Sequence, residues 1–210
     1  MFWSRTAYTL FFLFVLHNIY AYTLFIRHFL LALLCGAIGE VCIQFVYNID
    51  FFFRDPVQLY KKVDLILYAY FLSILTRKIW DMRNGDVHIY MLFCILLHNS
   101  ISDILQYIVG KLIGRTRLWS DTTNKTLEGY IAGLVGTPVV MHYIFPRIHF
   151  NTFLFFYLNV AGMTGGYINS CMKRELEIKD WSGIFGPHGG INDRLDSWVL
   201  ASLSYLAIYE

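Results

Sequence analysis

The segment HFLLALLCGAIGEVCIQFVY, residues 28–47, is apolar almost throughout, and Glu40 is its one carboxylate. A helix needs about 20 such residues to cross a hydrocarbon core of roughly 30 Å. Backbone groups cannot stay unpaired in lipid, and the chain lacks the alternating ten-residue pattern of barrel strands. The segment therefore predicts a membrane-spanning helix.

The rest of the chain has the same character. Of its 210 residues, 57% are apolar, 18% aromatic and only 15% charged, which is too apolar for an ordinary soluble domain. Further apolar segments of spanning length, with a shorter one at the end, lie at 7–26, 63–80, 88–110, 127–146, 150–170 and 196–209. The sequence thus predicts an all-α fold, a polytopic membrane helix bundle with about six to seven transmembrane helices.

Charge and cysteine content exclude two classes of function. The formal net charge of +2 is too small for a polyanion-binding surface, so no nucleic acid partner is expected. The four cysteines have no metal-ligand spacing, and three of them lie in apolar segments, where a free thiol behaves as a small hydrophobe. Neither a zinc site nor a disulfide framework is predicted.

Lysine and arginine positions predict the orientation in the membrane, because positive residues accumulate in cytoplasmic loops. With the amino end inside, twelve of these residues lie inside and five outside. The loops 111–126 and 171–195 are then both cytoplasmic. The run after Arg5 has no small-residue cleavage pattern, so an uncleaved first span is expected.

Several polar residues fall inside the predicted spans. Asn99, Asp103, Gln106 and Gly110 share one helical face, which predicts either a wet cavity or interhelical hydrogen bonds that hold the bundle together. Glu40 is assigned to interhelical packing. Glycines at two sets of positions predict close helix packing: 129, 133 and 136, then 162, 165 and 166.

Most of the chemistry-bearing side chains lie in SCMKRELEIKDWSGIFGPHGGINDRLD, residues 170–196. Asp180, Asp193 and Asp196 supply hard oxygen donors of the kind that hold Mg²⁺ against substrate phosphates. The cations of this segment suit phosphate oxygens, and His188 can contact a phosphate or shuttle a proton; the cations are Lys173, Arg174, Lys179 and Arg194. Taken singly, these residues also suit helix capping and membrane anchoring.

This segment resembles the signature of the phosphatidate cytidylyltransferases, or CDP-diacylglycerol synthases. The family pattern is a Ser, then Lys-Arg, Lys-Asp, a small residue, His-Gly-Gly, and finally Asp-Arg, an apolar residue and Asp. The chain matches it throughout, with Ser170, Lys173, Arg174, Lys179, Asp180, Ser182, His188, Gly189, Gly190, Asp193, Arg194, Leu195 and Asp196. A pattern this long is far more specific than a lone glycine loop.

A second region upstream is similar to the same family. The residues in register are Asp103, Tyr107, Gly110, Lys111 and Gly114, followed by Lys125, Thr126, Glu128 and Gly129. The family run Ser-Pro-Lys is replaced here by Thr122, Thr123 and Asn124, so one expected cation is missing. The resemblance covers roughly residues 95–210, and the expected organisation is N-terminal transmembrane helices over 1–90 and a catalytic membrane region over 91–210.

The resemblance implies that CTP and phosphatidate react to give CDP-diacylglycerol and pyrophosphate. It implies Mg²⁺ held by Asp180, Asp193, Asp196 and Asp103, with a monovalent cation such as K⁺ left open. It assigns catalytic roles to Asp180, Asp193, Asp196, Lys179 and His188. It assigns substrate binding to Ser170, Lys173, Arg174, Arg194, Lys125, Gly189 and Gly190. The site would face the cytoplasm, and a homodimer is left open. A CTP-dependent polyprenol-type kinase and a catalytically weak membrane subunit are the alternatives.

Overall fold

A computed structural model describes residues 25–48, 59–83, 86–118, 125–144, 151–186 and 189–209. These residues form six α-helices: α1 (Ile26–Tyr47), α2 (Leu59–Asp81), α3 (Val87–Ile113), α4 (Leu127–Ile144), α5 (Thr152–Glu175) and α6 (Asn192–Tyr209). Within the same ranges there is no strand, only an isolated antiparallel bridge between Arg117 and Thr126. The all-α fold class is confirmed.

The helices fall where the apolar segments predicted them. The segment 28–47 corresponds to α1 and the segment 127–146 to α4, each within two residues at both ends. The larger differences are extensions, such as α2 beginning at Leu59 rather than at 63. The expected span 7–26 lies outside the described residues except for its last two positions.

Two of these helices, α1 and α3, are long and apolar enough to cross a membrane. Apolar exposure on other helices points the same way. Along α4, Ile131, Val135 and Val139 recur every fourth residue and are 53%, 61% and 53% exposed. An apolar stripe of this kind needs lipid or another apolar surface against it. The number of spans remains a prediction.

The described residues divide into two compact units. The first comprises those within Met1–Phe93 and Glu175–Leu195, and the second those within Cys94–Arg174 and Asp196–Glu210. The unit boundaries fall inside α3 and α6 and just before the end of α5. In the first unit, α1 packs against α2. The predicted organisation into 1–90 and 91–210 stays a prediction.

Glycines in the second unit allow the close helix packing that their spacing predicts. A Cβ at Gly133 would lie 2.8 Å from the Gln106 side chain, and one at Gly162 would lie 2.8 Å from Asn99 Oδ1. At Gly165 the obstacle would be the backbone carbonyl oxygen of Asp196, 2.9 Å away. Larger residues at these positions would push α4, α5 and α6 away from their neighbours.

Hydrogen bonds also link the helices of the second unit. Ser102 Oγ donates to Asn159 Oδ1 at 2.9 Å, and Asn159 Nδ2 donates to the carbonyl oxygen of Gly133 at 3.0 Å. Gln106 Nε2 donates to Ser102 Oγ at 2.9 Å. These bonds join α3, α4 and α5 through Ser102 and Asn159, and Gln106 of the predicted polar face takes part only through Ser102 of its own helix.

Candidate active site

Asp103 and Lys125 form the centre of a charged cluster in the second unit. Asp103 lies in the middle of α3, and Lys125 lies two residues before α4 begins. Lys125 Nζ donates to Asp103 Oδ1 at 2.7 Å, and both side chains keep more than a third of their surface exposed. Their contact joins two residues of the upstream region that is similar to the family, one on α3 and one just before α4.

Asp196 and Lys173 complete this cluster. Asp196 interacts electrostatically with Asp103, Lys125 and Lys173, so the charges of one further carboxylate and two ammonium groups act on it. Ser197 Oγ donates to Asp103 Oδ2 at 3.4 Å, and the Ser197 backbone N–H donates to Asp196 Oδ1 at 2.7 Å. We call these four charged residues, Asp103, Lys125, Lys173 and Asp196, the acid–lysine cluster.

The acid–lysine cluster keeps Lys125 charged. Burial lowers the pKa of its ammonium group, but Asp103 and Asp196, together with the hydrogen bond to Asp103, raise it by more. The net result is a pKa above the ordinary value for lysine, because the nearby negative charges favour the protonated form. Lys125 therefore supplies a permanent positive charge at physiological pH.

Contacts between the residues after α3 and the start of α4 hold the segment that carries Lys125. The Leu127 N–H donates to the Thr116 carbonyl oxygen at 2.8 Å. The Thr116 N–H in turn donates to both carboxylate oxygens of Glu128, at 3.1 and 3.3 Å. At Gly114 a Cβ would lie 2.5 Å from Thr126 Oγ1, so the absence of a side chain lets these two segments approach each other.

In the first unit, Asp193 organises the glycine-rich turn of the signature. Its Oδ2 accepts the backbone N–H groups of Trp181 and Gly190, each at 2.8 Å. Gly189 has φ +77°, a conformation that favours glycine. A Cβ there would lie 2.6 Å from Asp193 Oδ2 and 3.2 Å from the Asp180 Cβ, so both acidic residues border this glycine.

Glu40 binds the same segment from α1. Its Oε1 accepts Ser182 Oγ at 2.6 Å and the Ile191 N–H at 2.8 Å. Its Oε2 accepts the Asn192 N–H at 2.8 Å and Asn192 Nδ2 at 3.2 Å. The assignment of Glu40 to packing between helices missed this role, because its partners lie more than 140 residues away and the sequence carries no signal that pairs them.

Residues of α1 and α2 surround these contacts. Tyr68 Oη donates to Asn192 Oδ1 at 3.1 Å, and Asn192 Nδ2 also donates to the Ala37 carbonyl oxygen at 2.8 Å. The Tyr68 ring stacks on Trp181 with centroids 5.8 Å apart, and Gln44 Nε2 donates to the Trp181 carbonyl oxygen at 3.0 Å. Trp181 and Asn192, one on each side of the turn, are thus held by two helices of their own unit.

The predicted site residues are therefore distributed over both units. The second unit brings together Asp103, Lys125, Lys173 and Asp196, while Lys179, Asp180, Gly189, Gly190, Asp193 and Arg194 belong to the first. Lys179, Asp180, Arg174 and Arg194 are exposed, which suits groups that meet a dissolved substrate. Ser170 Oγ donates to the Gly166 carbonyl oxygen of its own helix at 2.8 Å. His188 lies outside the described residues.

The donor set can be compared with the predicted magnesium site. Among the described residues, no three His, Cys, Asp or Glu side chains group closely enough to hold a metal ion by themselves. Asp103 and Asp196 form a pair of carboxylates, and Mg²⁺ is typically bound by one or two carboxylates together with substrate phosphates and water. The pair fits a magnesium ion that binds together with a nucleotide.

Comparison with known proteins gives a consistent result. A phosphatidate cytidylyltransferase of Aquifex aeolicus is 29% identical over 171 residues, which are 79% of this chain and 61% of that protein. Proteins of the same name from Staphylococcus saprophyticus and Staphylococcus haemolyticus are 34% and 36% identical, over 62% and 60% of this chain and 53% and 51% of their own lengths. The chain thus spans about half to three fifths of the length of these relatives.

The family assignment rests on a match of greater extent. The sequence profile of the cytidylyltransferase family matches residues 1–210, so it includes both compact units and every residue of the signature. This protein belongs to the cytidylyltransferase family.

Proposed function

We propose that this protein transfers a cytidylyl group from CTP to phosphatidate, giving CDP-diacylglycerol and pyrophosphate for phospholipid biosynthesis. The complete signature over residues 170–196 supports this proposal. So does the name phosphatidate cytidylyltransferase that its relatives carry. The exposed apolar stripe on α4 and the long apolar helices α1 and α3 favour an enzyme that meets its lipid substrate within the membrane.

The acid–lysine cluster is the observation that carries the proposal. Two carboxylates beside two ammonium groups are poorly explained as a stability device, since exposed ion pairs contribute only about 0–1 kcal/mol. They suit a site that holds a cation and several phosphate oxygens at once. In our proposal Asp103 and Asp196 hold Mg²⁺, and Lys125 and Lys173 bind phosphate oxygens of CTP.

The reaction needs charge neutralisation more than a base. A phosphate oxygen of phosphatidate attacks the α-phosphorus of CTP and forms a new P–O bond, while the bond from the α-phosphorus to the bridging oxygen breaks. Pyrophosphate leaves with that electron pair. The attacking phosphate monoester is already largely ionised at neutral pH, so no side chain has to remove its proton.

The chain's own residues would then act on the leaving group and on substrate orientation. Lys125 and Lys173 stabilise negative charge that accumulates on pyrophosphate, and a bound Mg²⁺ supplies further neutralisation of the same charge. Lys179, Arg174 and Arg194 bind the remaining phosphate oxygens from exposed positions. The resemblance alone assigns further substrate contacts to Ser170, Gly189, Gly190 and His188, and further acidic residues to Asp180 and Asp193.

The site is proposed to face the cytoplasm, where CTP is dissolved. The predicted loops 111–126 and 171–195 carry both lysines of the acid–lysine cluster, and they hold eight of the twelve lysine and arginine residues assigned to that side. Phosphatidate presents its phosphate at the membrane surface, so both substrates would meet there.

The test is an assay of product and leaving group. Detergent-solubilised protein is incubated with phosphatidate, Mg²⁺ and CTP labelled at the α-phosphorus, with and without EDTA. We expect label in the lipid phase together with one pyrophosphate per lipid product, and neither in EDTA. In a parallel incubation with CTP labelled at the γ-phosphorus and an added polyprenol, release of CDP together with label on the alcohol would replace the proposal by a lipid kinase.

A further inference from the structure

Glu40 is an acid inside an apolar helix, and it is 3% exposed. Such a residue is costly unless its charge is compensated, so its partners indicate its function. The four hydrogen bonds that its carboxylate accepts all come from one short segment, through Ser182, Ile191 and Asn192. That segment belongs to the signature.

The donors are neutral, and they use both carboxylate oxygens fully. Each oxygen accepts two hydrogens, which accounts for about four lone-pair sites of an ionised carboxylate. Two of the donors, the backbone N–H groups of Ile191 and Asn192, can only donate and never accept a hydrogen bond. A glutamine at position 40 would keep the shape but would turn one acceptor into a donor that faces another donor.

The contact also satisfies the beginning of α6. The first N–H groups of a helix have no partner within the helix, and they favour a negative charge nearby. Glu40 supplies that charge to Ile191 and Asn192 from 151 and 152 residues away. The next N–H toward the amino end, that of Gly190, is taken by Asp193. Every backbone donor from 190 to 192 is therefore held by a carboxylate.

Glycine at position 190 makes this approach possible. A Cβ there would overlap with Glu40 Oε1 and would lie 2.6 Å from Ser182 Oγ. At Gly36, one turn earlier in α1, a Cβ would overlap with the Ile191 side chain. Gly39, next to Glu40, has open space instead. The close approach is thus confined to the face of α1 that meets the signature.

We propose that Glu40 is a positioning residue, which holds the described part of the signature loop, residues 179–186 and 189–193, in the conformation that the reaction requires. Glu40 does not touch substrate. It acts through Ser182, Ile191 and Asn192, and so fixes where Asp180 and the N–H groups near Gly189 are presented. The consequence for catalysis rests on the proposed cytidylyl transfer, whereas the effect on loop order does not.

The experiment compares Glu40→Gln and Glu40→Asp with the wild type, and Gly39→Ala serves as a matched control on the same helix. Hydrogen–deuterium exchange is measured on the full-length protein in detergent for peptides covering 179–195. Turnover is measured per folded molecule by transfer of label from CTP to phosphatidate. For Glu40→Gln we expect about tenfold faster exchange of the Ile191 and Asn192 amides, with the control unchanged.

For catalysis we expect kcat of Glu40→Gln to fall on the order of 10²-fold, because small displacements of catalytic groups have effects of that size. KM for CTP should change by less than about threefold. Glu40→Asp keeps the charge and should retain more turnover than Glu40→Gln, although glutamine is the closer match in shape. A role in packing alone would give the opposite order.

The proposal would be overturned if the Ile191 and Asn192 amides of Glu40→Gln exchanged at the wild-type rate. It would also be overturned if Glu40→Gln were at least as active as Glu40→Asp. If the wild type transferred no label, the function would fail but the exchange data would still decide whether Glu40 orders the loop. If both Glu40 variants failed to fold, Ser182→Ala removes a single one of the four bonds. In Ser182→Ala the Ile191 and Asn192 amides should exchange faster than in the wild type, by a smaller factor than in Glu40→Gln. Exchange of these amides at the wild-type rate in Ser182→Ala would refute the proposal.

Discussion

Glu40, Asp103 and Asp196 all lie on helices, yet Glu40 is buried while Asp103 is more than a third exposed, and the partners of these carboxylates differ in kind. Glu40 accepts four hydrogen bonds from neutral groups, three of them from the backbone or side chain of neighbouring residues at the start of α6. Asp103 and Asp196 instead interact with ammonium groups, and their two negative charges also repel each other.

The difference separates a structural acid from a reactive one. A carboxylate whose oxygens are all used by fixed neutral donors has no room for a ligand, and it orders the groups that bind to it. Two partly exposed carboxylates next to lysine side chains would, in the proposed site, exchange those partners for a cation and for phosphate oxygens. Sequence position alone would have ranked Glu40 and Asp103 together, as acids within apolar helices.

The largest expected effect comes from the acid–lysine cluster. Replacing Asp196 by Asn should lower label transfer to lipid by about 10³-fold, because one of the two carboxylates that would hold the metal is lost. The protein should stay folded, since Asn keeps the shape and the Ser197 N–H can still donate to its oxygen. Activity within tenfold of the wild type would remove Asp196 from the site.

The next effect tests the Glu40 region by sterics alone. Gly190→Ala places a methyl group against Glu40 and Ser182, so we expect a free energy of unfolding lower by about 1–3 kcal/mol and turnover lower by about 10²-fold. Gly39→Ala is the control, since its methyl group meets open space. Thermal unfolding in detergent and label transfer are measured on both, and equal behaviour of the two variants would contradict the close approach.

The two regions also differ in how far the sequence could predict them. Helix positions followed from apolar length, and Asp103 and Lys125 were assigned to one enzyme family by their spacing; the structure brings them into contact. The Glu40 contact could not be predicted, since hydrogen bonds over 142 to 152 residues leave no periodicity. Asp193 was predicted as a metal ligand, and its use of Oδ2 for two backbone N–H groups depends on the irregular turn at Gly189.

Lys125→Met should reduce turnover by about tenfold, with Lys125→Arg retaining most of it, because the cluster needs a positive charge there. Burial opposes the raised pKa of Lys125, but Asp103 and Asp196 outweigh it. A raised pKa means that the charge and its ion pair are fully present below the unfolded value of about 10.4 and are lost only above it.

The ratio of wild-type to Lys125→Met turnover should therefore be the same at pH 7 and at pH 9. Rates are compared at saturating CTP, so that weaker substrate binding by the variant does not contribute. A ratio that approaches one at pH 9 would mean that Lys125 loses its proton below that pH, and the described ion pairing would be wrong.

The smallest effect is expected at the loop that carries Lys125. Glu128→Gln weakens the two hydrogen bonds from the Thr116 N–H, which lie in an exposed region. Turnover should change by less than about threefold, since one oxygen can still accept. A loss as large as that of Lys125→Met would show that Glu128 takes part in substrate binding.

Binding of a metal ion together with the nucleotide tests the contrast between the two regions most directly. Mn²⁺, used as a spectroscopic probe for Mg²⁺, is titrated into wild type and Asp196→Asn in the presence of CTP, and bound ion is counted by electron paramagnetic resonance. The account predicts one CTP-dependent ion per wild-type chain and a loss of most of that binding in Asp196→Asn. Equal binding by the two proteins would contradict the assignment of the acid–lysine cluster as the metal and phosphate site.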